Sequence, residues 1–154
     1  MPPAIGKTHT MDVHASVDAP CDGARLFPFV DDLAAYPSWV DLVHSAARDG
    51  DDADGPAWRV ELRARVGPLA RSKRLRMVRT AHRPDEGLAG FERGGTDGRR
   101  HSPWVLRAEI VDDGAGRCML HMHLHYGGSL WTGGVLERTL ADQIESGRGR
   151  LVEL

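Results

Sequence analysis

Apolar and polar residues alternate along much of this chain. Over residues 8–17, Met11, Val13, Ala15 and Val17 share one side of an extended backbone, and Thr10, Asp12, His14 and Ser16 share the other. A period of two marks a strand with one buried and one wet face. The same test predicts clear strands over 57–66, 72–80, 101–111 and 118–126, a weaker one over 41–48 and a short one near 88–93. In the 101–111 strand, Trp104, Leu106, Ala108 and Ile110 oppose Val105, Arg107 and Glu109. In the last, Leu120, Met122, Leu124 and Tyr126 oppose His121, His123 and His125. Short turn-forming stretches, DGDDADGP from residue 49 and DDGAG at 112–116, separate neighbours, so the strands are expected to pair antiparallel.

Helical signals interrupt this pattern in two places. Asp18-Ala19-Pro20 reads as a capping Asp followed by Pro in a first turn. Leu26, Phe27 and Val30 give that helix an apolar side, and Pro28 ends or kinks it early. A second short helix, about 31–35, is expected to stop at Tyr36-Pro37-Ser38-Trp39, because Pro37 biases Tyr36 out of the helical region. The long helical period comes last, after GGSLWTGG. Leu136, Leu140, Gln143, Ile144, Gly147, Leu151 and Leu154 fall within a stripe about 100° wide, with charged residues outside it. The expected fold is therefore α+β: a curved seven-stranded antiparallel sheet, two short helices after the first strand, and one long C-terminal helix over the concave face.

Length and composition add bounds. The 154 residues are expected to form one domain, 1–154, with 1–7 flexible. At 41% hydrophobic and 27% charged, the chain is globular rather than disordered. No apolar run approaches the roughly 20 residues of a membrane span, and MPPAIGKTHTMD has no secretory h-region. Cys21 and Cys118 make neither a disulfide framework nor a metal spacing, which favours a cytoplasmic location. Arg outnumbers Lys 18 to 2 and Asn is absent, as expected of a GC-rich bacterial genome.

Net charge is only −2 but is segregated. Residues 1–55 sum to −7, residues 56–107 to +8 and the remainder to −3. The stretch 59–83 holds eight Arg and one Lys. This is either an electrostatic footprint for an anion, RNA or lipid headgroups, or the wet face of strands neutralised by acidic neighbours. The alternation of Trp58, Val60, Leu62, Ala64 and Val66 with charged residues favours the second.

The histidine triplet invites a metal reading. Neighbouring members, about 6.5–7 Å apart on one strand face, can share a zinc ion, whereas His121 and His125, about 13 Å apart, cannot. A third ligand would come from the adjacent strand. If residue 110 lies opposite 118, Arg107 faces His121 and Val105 faces His123, and neither is a ligand. Parity also turns the histidines outward, where they form a plain exposed face or a pH-sensitive or partner-binding surface. No metal and no cofactor is expected. Nucleophile elbows, Walker loops and dinucleotide fingerprints are missing, and GGTDGRR from Gly94 reads as a lid-like loop rather than a phosphate cradle.

Several pieces resemble the START-like, polyketide cyclase/dehydrase superfamily, which includes the birch-pollen-allergen fold. They are VDAP at Val17–Pro20, Asp31-Asp32-Leu33 with Tyr36-Pro37-Ser38-Trp39, and the tail from Tyr126-Gly127-Gly128 through the leucine-striped helix. The likeness spans about residues 8–154, with Pro28 and the Gly147/Gly149 pair departing from a regular pattern. It implies a helix-grip fold with a hydrophobic cavity between sheet and terminal helix. Members bind lipids, polyketides, steroids or quinones, and some are cyclases that work without metal or cofactor. The expected ligand-binding residues are Tyr36, Trp39, Met77, Trp104, Leu106, Met122, Leu124, Tyr126, Gln143 and Gly147, with Arg76 as a candidate anchor whose parity points it outward. The leading expectation is a carrier or sensor of a hydrophobic small molecule. The alternatives are a cofactor-free cyclase or dehydratase, and an interaction module using the basic face. No nucleic-acid partner is expected, and the oligomeric state is left open.

Overall fold

The structure, a computed structural model, describes residues 10–66, 68–94 and 102–127, with the single positions 142 and 149. The expected terminal helix, including Gln143 and Gly147, lies outside the described residues, as do residues 1–7 and most of the Gly94–Arg100 loop.

Seven strands form one sheet: β1 (Thr10–Ala19), β2 (Val43–Asp52), β3 (Gly55–Val66), β4 (Leu69–Arg83), β5 (Leu88–Arg93), β6 (Trp104–Asp112) and β7 (Cys118–Gly127). Their spatial order is β1-β7-β6-β5-β4-β3-β2, and every pairing is antiparallel. Each strand pairs with its sequence neighbour from β2 through β7, and β1 closes against β7. One four-residue helix, α1 (Gly23–Leu26), and 3-10 turns at Phe27–Phe29 and Leu33–Ser38 carry the chain from β1 to β2, the two edges.

The alternation read from the sequence holds on both faces. Val13, Val17, Leu120, Met122, Leu124, Tyr126, Trp104, Ala108 and Ile110 are buried on one side of the β1–β7–β6 ribbon. Trp58, Val60, Leu62, Leu75 and Met77 continue that core across β3 and β4. The three histidines face the other way.

Four local expectations are corrected. The helix does not begin at Asp18. β1 runs through Ala19, Asp18 pairs with Met119 in the ladder, and both its carboxylate oxygens accept from Arg117 Nη2, at 2.8 and 2.9 Å. Helix α1 starts after Asp22 instead. Second, the 3-10 turn continues past Pro37 to Ser38. Pro37 has no N–H to lose, and the amides of Trp39 and Val40 both close on the Tyr36 carbonyl at 3.0 and 2.8 Å.

Third, β2 extends through the first half of the acidic stretch read as a turn, to Asp52, and β3 starts again at Gly55. A bulge between Arg48 and Asp51, with Gly50 at φ 72°, absorbs the irregularity. Arg76 on β4 then draws Asp49 and Asp52 down onto the sheet. Fourth, the β6–β7 register is tighter by two residues. Asp112, not Ile110, lies opposite Cys118, so Glu109 faces His121 and Arg107 faces His123. The Asp113 carboxylate accepts from the amides of Ala115 and Arg117 at 2.8 and 3.2 Å, and Gly114 and Gly116 supply the positive φ angles. A shift of two preserves parity, so the faces are unchanged.

Candidate functional site

The Asp31-Asp32 pair and the aromatic signature build a roof over one end of the concave face. Asp32 Oδ1 accepts from the Ala34 amide at 2.9 Å, capping the second 3-10 turn, and from Trp58 Nε1 at 3.1 Å. Arg79 donates to the Asp31 carbonyl at 2.9 Å, and His82 Nε2 lies 3.0 Å from the Asp31 carboxylate. Tyr36 donates its hydroxyl to the Val30 carbonyl at 2.9 Å, and Trp39 Nε1 donates to that of Phe29 at 3.1 Å. Both aromatic tips are thus spent on holding the two short turns together, which leaves their rings as apolar surface. Burial pushes the Tyr36 phenol far above the usual tyrosine range, with the Asp31 charge adding to it.

Beneath this roof lies a partly open hollow of about 70 Å³. Tyr36 and Leu33 come from the roof, Met77 and Leu75 from β4, Trp104 and Leu106 from β6, and Met122 and Leu124 from β7. Valines and leucines of β1, β2 and β3 complete the wall. Six of the residues expected from sequence therefore meet around one space: Tyr36, Met77, Trp104, Leu106, Met122 and Leu124. Trp39 and Tyr126 sit one layer behind, their rings 5.2 Å from Tyr36 and 5.0 Å from Trp104. An apolar wall cannot hold water by hydrogen bonds, so such a space favours an apolar occupant.

One wall group breaks this rule. Trp104 is 3% exposed, and its Nε1 has no hydrogen-bond partner among the described residues.

Arg76 is not a pocket anchor. It lies on the convex face with its Nε 3.0 Å from Asp49 and Nη1 2.7 Å from Asp52. The Arg76 hydrogen bonds hold both carboxyls below the usual aspartate range, and they raise Arg76 in turn. Because folding lowers these two pKa values, the pairs stabilise the fold above the unfolded aspartate range. They lose that contribution as pH falls through the folded values. Arg76→Met is therefore expected to lower the urea midpoint at neutral pH, with the gap to wild type closing below about pH 4. A gap that stays constant with pH would assign the residue a packing role instead.

Three more arginines of the basic stretch are matched on that face. Arg59 reaches Asp49 at 3.3 Å, and Arg63 and Arg74 reach Glu61 at 2.8 and 3.4 Å. The histidines are also engaged there. His123 and His125 both contact Asp12 Oδ1, at 2.7 and 2.9 Å, and these hydrogen bonds lower the Asp12 carboxyl. His14 stacks on His123 at 4.2 Å between ring centres, and His121 meets Ser16 at 3.0 Å. Among the described residues, no group of three His, Cys, Asp or Glu side chains is arranged to hold a metal ion.

A seven-stranded antiparallel sheet cupping an apolar hollow, with short helices between its first two strands, defines the helix-grip class. The family described as polyketide cyclase / dehydrase and lipid transport matches residues 10–154, and the chain belongs to it. No curated protein matches the sequence. Solved structures share the fold at low identity. A START superfamily protein from Mycobacterium smegmatis has a TM-score of 0.67 at 18% identity, over 92% of this chain and 94% of that one. The Zhui aromatase/cyclase from Streptomyces sp. R1128 has a TM-score of 0.66 at 11% identity, over 93% and 94%. A norcoclaurine synthase point mutant from Thalictrum flavum, in complex with a transition-state analogue, gives 0.60 at 14%, over 96% and 97%. Among the described residues, no helix is long and apolar enough to cross a membrane.

Proposed function

We propose that this protein binds a hydrophobic small molecule, such as a lipid, polyketide or quinone, in the hollow of its concave face, as a carrier or sensor in the bacterial cytoplasm. The observation that carries this reading is the wall. The residues around the hollow are aliphatic or aromatic, and the Tyr36 hydroxyl is already committed to a backbone carbonyl. The family description, which joins lipid transport to cyclase chemistry, supports the same reading.

A thermal-shift screen against lipids, quinones and polyphenols tests it. Ligands that fit should raise the melting temperature in a concentration-dependent way, since binding to the native state alone stabilises by mass action. A screen in which none of these classes shifts the transition would remove the proposal.

The cyclase or dehydratase alternative has less support. General acid–base catalysis needs a titratable group at the reacting atom. Among the described lining residues, Tyr36 is the titratable one, and burial holds it neutral. The basic-face alternative is weakened by the carboxylates that pair with the convex-face arginines.

A further inference from the structure

The hollow has one polar end. β5 ends at Arg93, and the next amide, of Gly94, still donates to the Arg76 carbonyl of β4 at 2.9 Å. Lys73 of β4 lies on the concave face: it pairs with Leu62 and shares its side of the strand with Leu75 and Met77, and all three of those residues line the hollow. Its Nζ sits 5.9 Å from the centre of the Trp104 ring on β6. Continuation of the Glu92–Val105 pairing sets Arg93 opposite Trp104 as well. Arg93 Nη1 makes long contacts, 3.4 Å each, to the carbonyl and hydroxyl of Ser102.

On the convex face of β3 and β4, Arg59, Arg63, Arg74 and Arg76 have carboxylates at 2.7–3.4 Å. Lys73 has none among the described residues, although it is half-buried on an apolar face. Burial first, and the Arg93 charge second, pull its pKa below the usual lysine range. The nearby Trp104 N–H is buried without an acceptor among the described residues. Two donors, the Lys73 ammonium and the Trp104 N–H, thus stand close together without an acceptor among the described residues.

We infer that the ligand is an amphipathic acid, its apolar body in the hollow and its carboxylate at the Trp104 end, paired with Lys73. This rests on the proposed ligand-binding role and sharpens it to a chemical class. A carboxylate there would restore Lys73 toward its ordinary ionisation and could accept from the indole N–H. A charge-assisted contact of this kind separates an acid from its neutral analogue by about tenfold or more in affinity.

The test compares octanoate with octan-1-ol, which share a chain length and differ in charge. Calorimetric titration near neutral pH should show octanoate binding about tenfold more tightly. Lys73→Gln should abolish that preference, and Lys73→Arg should retain it. A second readout needs no variant. The chain has two lysines, Lys7 and Lys73. After reductive methylation with 13C-formaldehyde, octanoate should shift the Lys73 resonance and octan-1-ol should not. Equal binding of acid and alcohol, or a preference that survives Lys73→Gln, overturns the acid inference and leaves the hydrophobic role standing. Failure of both probes to bind overturns both.

Discussion

Phe91→Ala is expected to destabilise the fold by about 3–5 kcal/mol, the range for deleting a fully buried phenylalanine ring. Phe91 is 0% exposed on the central strand β5. Its ring meets Trp58 edge-on at 5.6 Å and Tyr36 edge-on at 6.5 Å, so it joins the sheet to the roof. Removing it forfeits the transfer free energy of the ring and leaves a cavity that two tied-down aromatics cannot fill, since Trp58 is held by Asp32 and Tyr36 by Val30. Urea unfolding at constant slope would measure the loss. Phe91→Leu keeps most of the volume and should cost much less. Equal effects of the two substitutions would mean that ring geometry, not volume, is what the site requires.

The second large effect is expected at Gly87, the residue that starts the β5–β6 side of the sheet. Its backbone is left-handed, φ 65° and ψ 28°, and closes the 3-10 turn at Pro84–Glu86. A Cβ there would stand 2.6 Å from the Ile110 carbonyl oxygen, next to the hydrogen bond from the Ile110 amide to the Gly87 carbonyl at 2.9 Å. Gly87→Ala therefore carries the left-handed penalty of about 1–2 kcal/mol and a backbone clash that the strand pair must open to relieve. Gly114→Ala supplies the control. That glycine has φ 79° but nothing within 4 Å of the added carbon, so it should show the conformational penalty alone. The thermal midpoint of Gly87→Ala should fall well below that of Gly114→Ala; coincident midpoints would show that the clash is relieved at no cost.

Parity was the most legible property of the sequence, because a strand face depends on residue spacing alone. It placed Leu120, Met122 and Leu124 on the concave side and the histidines outside, and it turned Arg76 outward. Register was less legible, because it depends on where a turn closes. The side chain of Asp113 decides that for β6–β7, and nothing in the alternation reveals it. The helix start was misplaced at Asp18 for a related reason: a capping residue and a strand residue look alike until Arg117 claims the carboxylate across 99 residues of sequence. Lys73 was readable and missed. It stands two residues before Leu75, on the face already assigned to the core, but the run of arginines around it drew the eye to the wet side. Trp104 could be placed on the wall from sequence, whereas its unpaired N–H needed coordinates, since an indole finds or lacks a partner only in three dimensions.

The irregular second strand has a consequence for the molecule among its own copies. β2 is an edge, and an edge offers unpaired amides and carbonyls to any neighbouring strand. Here the ladder is broken at Val43/Ser45 and again at Arg48/Asp51, and Arg48, Asp49, Asp51 and Asp52 are carried along the same few residues. An incoming strand would meet a bent backbone with no continuous register and a row of ion pairs to desolvate. The acidic segment that resembled a loop thus serves as a guard against strand-by-strand aggregation. It protects the side of the sheet farthest from β1, while the arginine that secures it lies two strands in.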